Sequence, residues 1–324
     1  MRRLTLAVAL VAGLLATVLA APASAAYPGS NGRIAFVRGG DIYTVAPSGQ
    51  GEDQLTSGGK TVRPKWSPDG QRIAYLKDSA DGTRDVWVMS ATGTNKTRVT
   101  DLGNVTAPAT WSPDGRTLAF AADAYDNPPF SQLYTINSTE PFGDPTPIDG
   151  YLTDCTDCPT HSDPPSTDLQ PIYVDRFLAW SPDGSRIAVF NHDEGQFDNA
   201  IYMFYVATGE SREFRATGAD CCGSFDFTDL AWGPSGQFGY GLANTGEDGS
   251  DPFVGIFYPD PLSSADAPFA AAPGDKSPAP SPSGTRMAFT NSTSGRPRVY
   301  VASVTGANRH VVTNGYQPDW QPLR

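Results

Sequence analysis

Along most of the chain, apolar residues come in runs of three to five, separated by clusters of Gly, Pro, Asp, Asn and Ser. Ile34-Ala35-Phe36, Ile73-Ala74-Tyr75, Leu118-Ala119-Phe120, Ile187-Ala188-Val189-Phe190 and Met287-Ala288-Phe289 form one set. Ile42-Tyr43-Thr44-Val45, Val86-Trp87-Val88-Met89, Leu133-Tyr134-Thr135-Ile136, Ile201-Tyr202-Met203-Phe204, Val254-Gly255-Ile256-Phe257 and Val299-Tyr300-Val301-Ala302 form a second. Short β-branched and aromatic runs bounded by turn residues read as strands. One apolar stretch differs in kind. Leu4 to Ala21 follows Arg2-Arg3 and precedes Ala23-Ser24-Ala25, the three parts of a secretory signal peptide. An uncleaved anchor is the alternative, because the stretch is close to the ~18 residues that could span a bilayer. The expected organisation is a signal peptide over 1–25 and one folded unit over 26–324. No second run approaches spanning length, so the mature chain is expected to be exported, soluble and without a membrane span.

The strands belong to a repeat. Trp66-Ser67-Pro68-Asp69-Gly70 recurs as Trp111-Ser112-Pro113-Asp114-Gly115 and Trp180-Ser181-Pro182-Asp183-Gly184. Degenerate copies stand at Trp232-Gly233-Pro234-Ser235-Gly236 and Pro280-Ser281-Pro282-Ser283-Gly284, and a last Trp320 follows Pro318-Asp319. The first five copies are spaced 45, 69, 52 and 48 residues. Pro fixes φ at one turn position and Asp-Gly accepts tight-turn geometry, so each motif is a hairpin. A first strand (A) ends at Trp, a second (B) follows the turn, a third (C) carries Tyr or Trp, and a fourth (D) ends near Thr, as in Gln54-Leu55-Thr56 or Arg98-Val99-Thr100. Four antiparallel strands at this period make a propeller blade. The N-terminal copy lacks an A strand and the C-terminal copy, Tyr316 to Trp320, is an A strand alone. Together they complete one blade. The expectation is an all-β, six-bladed β-propeller closed by N-terminal strands plus a C-terminal strand.

The motif, the Ile-Ala-Phe-type strand and the Ile-Tyr-Val-type strand resemble the WD40-like repeats of TolB-like propellers over essentially the whole mature chain. The resemblance implies an exported protein-binding platform. TolB proteins also carry an N-terminal α/β domain, whereas here the first strand begins about ten residues after the cleavage site, which argues against a role in a Tol–Pal machine. Related repeats form the propeller of prolyl oligopeptidase relatives, which need a hydrolase domain downstream.

Composition narrows the function. The chain has 23 Lys and Arg against 35 Asp and Glu, a formal charge of −12, and 62 Gly and Pro. A nucleic-acid partner is not expected of so acidic a chain. Arg exceeds Lys and Ala, Gly and Pro abound, which fits a high-GC bacterial source. The acids are unevenly placed. A–B turns are uniform, whereas the B–C loops 122–131, 191–199 and 244–253 and the D–A connectors 149–175 and 216–229 are long. Those five segments hold 17 carboxylates and no Lys or Arg, and all project to one face of blades 3–5. The opposite face gathers Arg33, Arg72, Arg116, Arg186 and Arg286. Long loops on a rigid frame are where function tends to sit. The acidic face is read three ways: surface solubility, a site for a basic protein partner, or a Ca²⁺ site. Candidate Ca²⁺ ligands are Asp193, Glu194 and Asp198, or Glu247, Asp248 and Asp251; no other cofactor is expected. Candidate partner-binding residues are Tyr125, Asp126, Phe130, His192, Asp193 and Phe197.

Four cysteines lie in two equivalent connectors, Cys155 and Cys158 in one, Cys221 and Cys222 in the other. Three pairings exist. A vicinal Cys221–Cys222 bond would strain its peptide, so cross-links between the connectors are expected in an exported chain. A Cys₄ zinc site or a redox pair are the alternatives. No hydrolase, metalloprotease or nucleotide-binding motif is present. The expected function is a monomeric, non-enzymatic scaffold that binds a protein partner through the acidic loop face; the alternative is a propeller hydrolase or lyase with a divalent metal held by loop carboxylates.

Overall fold

The computed structural model describes residues 27–123, 131–153, 169–193, 198–217, 225–244, 255–259, 266–268 and 272–324. Every α-helix or strand element among them is a strand. Five sheets have four antiparallel strands each. Sheet 1 joins Tyr316–Leu323, Ser30–Arg38, Asp41–Val45 and Asp53–Gln54. Sheet 2 joins Thr61–Trp66, Arg72–Asp78, Arg84–Ser90 and Thr97–Arg98; sheet 3 joins Val105–Trp111, Thr117–Asp123, Ser131–Asn137 and Thr146–Pro147. Sheet 5 joins Phe225–Trp232, Phe238–Asn244, Gly255–Pro259 and Asp266–Pro268; sheet 6 joins Asp275–Pro280, Arg286–Asn291, Arg298–Ser303 and His310–Asn314. This is an all-β propeller of four-stranded antiparallel blades. The C-terminal strand pairs with the N-terminal one, Trp320 opposite Ile34 and Leu323 opposite Ser30.

Sheet 4 departs from the expected four strands. Leu178–Trp180, Arg186–Asp193, Asp198–Tyr205 and Glu210–Thr217 form its expected set, and Asp149–Thr153 and Gln170–Pro171 extend it to six. Asp149–Thr153 runs parallel to Glu210–Thr217, with Tyr151 opposite Glu210 and Thr153 opposite Arg212. The returning chain then bonds to sheet 3: Leu133 N–H donates to Ile172 C=O at 2.8 Å and Val174 N–H to Ser131 C=O at 2.8 Å. Both ends of the 149–175 connector are therefore outer strands, not loop. Gly150 permits this approach, because a Cβ there would meet the Gly209 carbonyl oxygen at 2.7 Å. Segment 191–199 is likewise mostly ladder, since strand pairing continues to Asp193 opposite Asp198.

The repeat motif is a self-contained hairpin. Ser67 Oγ donates to Asp69 Oδ1 at 2.5 Å, Gln71 N–H donates to the same oxygen at 3.0 Å, and Arg72 N–H donates to Ser67 Oγ at 2.9 Å. Gly70 has φ +67°, where a side chain would be strained. Ser112 with Asp114, and Ser181 with Asp183, repeat the bonds, with Gly115 and Gly184 also at positive φ. Partial burial pushes each Asp carboxyl upward, but the Ser and backbone donors outweigh it and hold Asp69, Asp114 and Asp183 below the usual carboxylate range. The Thr that ends the D segment has its own task. Thr100 Oγ1 accepts from Val86 N–H at 3.0 Å and donates to Asp85 at 2.7 Å, and Thr56 accepts from Ile42 N–H at 2.8 Å.

Hydrophobic burial lies between successive sheets. Ala35, Ile42 and Leu55 of the first repeat pack on Trp66, Ile73 and Tyr75 of the second. Leu76, Val86 and Val88 pack on Val105, Trp111 and Phe120. Phe190, Ile201 and Met203 pack on Phe227, Trp232 and Phe238, and Val299 and Val312 pack on Phe36 and Trp320. Trp66, Trp111, Trp232 and Trp320 are buried; Trp180 is half-buried. Two of the basic residues expected on the A–B face join sheets instead. The guanidinium of Arg72 lies 4.5 Å from the Trp111 ring centre and that of Arg186 lies 4.8 Å from the Trp232 ring centre, while Arg116 and Arg286 are exposed.

Candidate functional site

The first strands of all six sheets line one cavity. The repeat alignment sorts its walls into layers. At the Trp level stand Trp66, Trp111, Trp180, Trp232, Pro280 and Trp320; one residue earlier stand Lys65, Thr110, Ala179, Ala231, Ala279 and Asp319. That earlier layer holds two charges on neighbouring sheets, Lys65 and Asp319, 3.7 Å apart. Asp319 also accepts from Trp66 N–H at 2.7 Å. Burial raises the Asp319 carboxyl to about 6, with Lys65 and the Trp66 N–H opposing the rise and Asp229 adding to it.

Three residues before the Trp, the strands carry a second charged pair. Arg63 Nη1 lies 3.3 Å from Asp229 Oδ2, and its guanidinium lies 4.9 Å from the Phe177 ring centre. Arg63 belongs to sheet 2 and Asp229 to sheet 5, with two sheets between them in either chain direction. Local geometry places Arg63. It has φ +58° immediately before Pro64, and Ser277 before Pro278 and Gln317 before Pro318 have φ +53° and +54°. Pro cannot donate to the ladder, so the strand bulges there, with register shifts between Val62 and Lys65 and between Lys276 and Ala279. Neighbouring sheets satisfy the displaced N–H groups: Arg63 N–H donates to Gln317 Oε1 at 3.1 Å and Gln317 N–H to Thr290 Oγ1 at 3.1 Å.

At the A–B turn side, Tyr27 enters the cavity. Its hydroxyl donates to Trp111 C=O at 3.2 Å, and Gly29 N–H donates to the Pro282 carbonyl in the sheet 6 turn at 3.3 Å. Burial pushes the Tyr27 phenol well above its ordinary range, and the nearby Asp319 charge adds to this. The cavity thus has an ion pair on one side and a phenol on the other.

Sequence reasoning placed its candidates elsewhere. Tyr125, Asp126, Phe130, Glu194, Phe197, Glu247, Asp248 and Asp251 lie outside the described residues, as do Cys155, Cys158, Cys221, Cys222 and residues 1–26. His192 stands opposite Asn199 on a strand and Asp193 opposite Asp198. Of the 17 loop carboxylates, Asp229 lies in a first strand and pairs with Arg63, and Asp149 accepts from Gln132 Nε2 at 2.9 Å. Among the described residues, no three His, Cys, Asp or Glu side chains gather as a metal-binding group. The Arg63–Asp229 pair was missed because 166 residues separate its members. The available signal was alignment of Arg63-Pro64-Lys65-Trp66 with Gln317-Pro318-Asp319-Trp320, which marks polar residues at equivalent first-strand positions.

No family model matches the chain, and no curated protein matches it. Solved structures do. TolB from Acinetobacter baumannii is 17% identical with a TM-score of 0.66, over 90% of this chain and 67% of that one. A protein described as TolB from Agrobacterium tumefaciens is 17% identical with a TM-score of 0.59, over 89% and 92%. A chain of a nidogen–laminin complex is 11% identical with a TM-score of 0.61, over 89% and 98%. The fold is that of a TolB-like β-propeller.

Proposed function

We propose that the chain is an exported, non-enzymatic six-bladed ring that holds a segment of a protein partner over the cavity mouth bearing Arg63 and Asp229. The observation that carries this reading is that ion pair. It joins two non-neighbouring sheets through one 3.3 Å contact, and Asp229 lies in the sheet whose flanking segments, 216–229 and 244–253, are rich in carboxylates. A partner's charged side chains can exchange for such a pair without leaving either residue unpaired. Closure of the ring by the pairing of Ser30–Arg38 with Tyr316–Leu323 would give the mouth a fixed frame. A basic partner would be drawn electrostatically to the carboxylate-rich segments of this part of the chain. Asp149–Thr153 runs parallel to Glu210–Thr217, and cross-links between Cys155 or Cys158 and Cys221 or Cys222, which follow these two strands in the sequence, remain part of this reading.

The test is affinity capture of extracytoplasmic proteins on the purified chain. The unaltered chain should retain a partner that is lost on trimming 191–199 and 244–253 and weakened by Arg63→Ala with Asp229→Ala. Retention by all forms would move the site elsewhere. One equivalent of tightly held divalent metal in the purified chain would overturn the scaffold reading in favour of a metal-dependent hydrolase or lyase.

A further inference from the structure

A second cavity lies between sheets 1 and 2, away from the first strands' common cavity. It is an open groove lined by Thr56 and Ser57 from sheet 1's closing segment and by Thr61, Tyr75, Lys77 and Lys96 from sheet 2. The groove is open to solvent along its length. Tyr75 forms the floor. Its side chain is 1% exposed, and its hydroxyl has no hydrogen-bond partner among the described residues. Burial raises its phenol to about 12, so it remains a donor. The hydroxyls of Thr56 and Thr61 are already used: they bond each other at 2.7 Å, and Thr61 donates to Gly40 C=O at 3.0 Å.

The cations at this groove are surplus. The chain has five lysines, and Lys60, Lys77 and Lys96 are three of them. Lys77 Nζ lies 4.2 Å from the Trp87 ring centre, Lys96 donates to Gly93 C=O, and Lys60, next to Thr61, donates to Ser79 C=O at 3.1 Å. None of the three pairs with a carboxylate among the described residues; arginines hold five of the neighbouring acids, while Asp41 beside the groove accepts from Thr56 Oγ1 at 3.2 Å and from Gly59 N–H at 3.1 Å. Arg33 pairs with Asp53, Arg38 with Glu52, Arg84 with Asp78, and Arg98 with both Asp85 and Asp101. In a chain of net charge −12, two unpaired ammonium groups and a buried unpaired phenol O–H share one groove.

We propose that the groove between sheets 1 and 2 binds a small organic anion carrying two oxyanion groups, which Lys77 and Lys96 attract and the Tyr75 hydroxyl orients. Lys77, Lys96 and Tyr75 offer donors, beside the Gln54 amide and the Ser57 hydroxyl, and charge-assisted hydrogen bonds to an oxyanion are the strong kind. Carboxylate and phosphate share this chemistry.

The test is calorimetric titration of the purified chain with citrate and, separately, pyrophosphate at low salt. Saturable binding of either is expected, and whichever binds identifies the headgroup. Lys77→Gln and Lys96→Gln should each weaken binding about tenfold. Tyr75→Phe should weaken it about threefold or more while leaving the melting temperature within a few degrees, because the hydroxyl has no protein partner to lose. Failure of both probes to saturate overturns the proposal. So does affinity unchanged in the Lys77→Gln/Lys96→Gln double variant, which would place any bound anion elsewhere. Neither result bears on partner capture at the Arg63–Asp229 mouth.

Discussion

Residues 30–104, which build most of sheets 1 and 2, contain ten Lys and Arg against eight Asp and Glu. Residues 105–270, which build sheets 3 to 5, contain five against twenty-five. The same repeat motif runs through both regions, so the frame does not demand this asymmetry. In the first region connectors are short and acids are held: Asp85 is 1% exposed and accepts from Arg98, Thr100 and the N–H groups of Leu102 and Gly103. In the second, described acids such as Asp175 are half-exposed and meet only a neighbour in sequence, Arg176. The first region pairs most of its acids with arginines of the same sheet; in the second, acids outnumber cations five to one.

The largest test of that contrast uses tryptophans of the two regions' shared motif. Trp66→Ala, in the first region, should cost about 3–5 kcal/mol, since the buried ring packs with Ala35, Ile42, Leu55 and Ile73. Trp180→Ala should cost markedly less, because that ring is half-buried and its N–H reaches only Gly184 in its own turn. Urea midpoints of the two variants check this, and equal losses would dissolve the distinction.

Next comes a pair of acids. Asp85→Ala should cost about 2–4 kcal/mol, because it strands the buried Thr100 hydroxyl and two half-buried N–H donors. Asp175→Ala should cost under about 0.5 kcal/mol. Burial raises the Asp85 carboxyl, but its donors outweigh that and lower it overall. Its contribution is therefore present above the unfolded pKa of about 3.9 and is lost as pH falls through its folded value.

Asp319 has the opposite sign. Its folded value of about 6 lies above the unfolded one, so the folded chain binds the extra proton. Stability should fall as pH rises from about 4 to 6, by roughly 2 kcal/mol. Asp319→Asn should flatten this window, as read by urea denaturation at four pH values. An unchanged slope would mean another group titrates there. The smallest effect expected is from salt. Raising NaCl from about 0.05 to 0.5 M should stabilise the chain by up to ~1 kcal/mol by screening the 105–270 acids. Destabilisation would mean that ion pairs dominate in both regions.

How much of this was readable in the sequence follows the range of the interactions. The A–B hairpin is local: five residues supply its Ser, Asp and Gly bonds, so its repeats reveal the blades directly. The D-segment Thr was visible as a repeat, but its bonds to Val86 and Asp85 were not. The two extra strands of sheet 4 escaped because Asp149–Thr153 finds its partner about 60 residues away, and nothing in its pattern separates an outer strand from a loop. Nothing in the sequence around Arg63 and Lys65 shows their partners, because Asp229 and Asp319 lie 166 and 254 residues further along the chain.

The pairing of Ser30 with Leu323 has a consequence for protein engineering. The two ends of the folded chain meet on one sheet, so a short linker could join them. New termini could then be opened in the connector at Gly58 and Gly59, both exposed and at positive φ. In that circular permutant every blade, sheet 1 included, would come from contiguous chain. The seam of the ring would move from within sheet 1 to the packing between sheets 1 and 2, where Ala35, Ile42 and Leu55 meet Trp66, Ile73 and Tyr75, so closure would then rest on side-chain packing instead of a strand ladder.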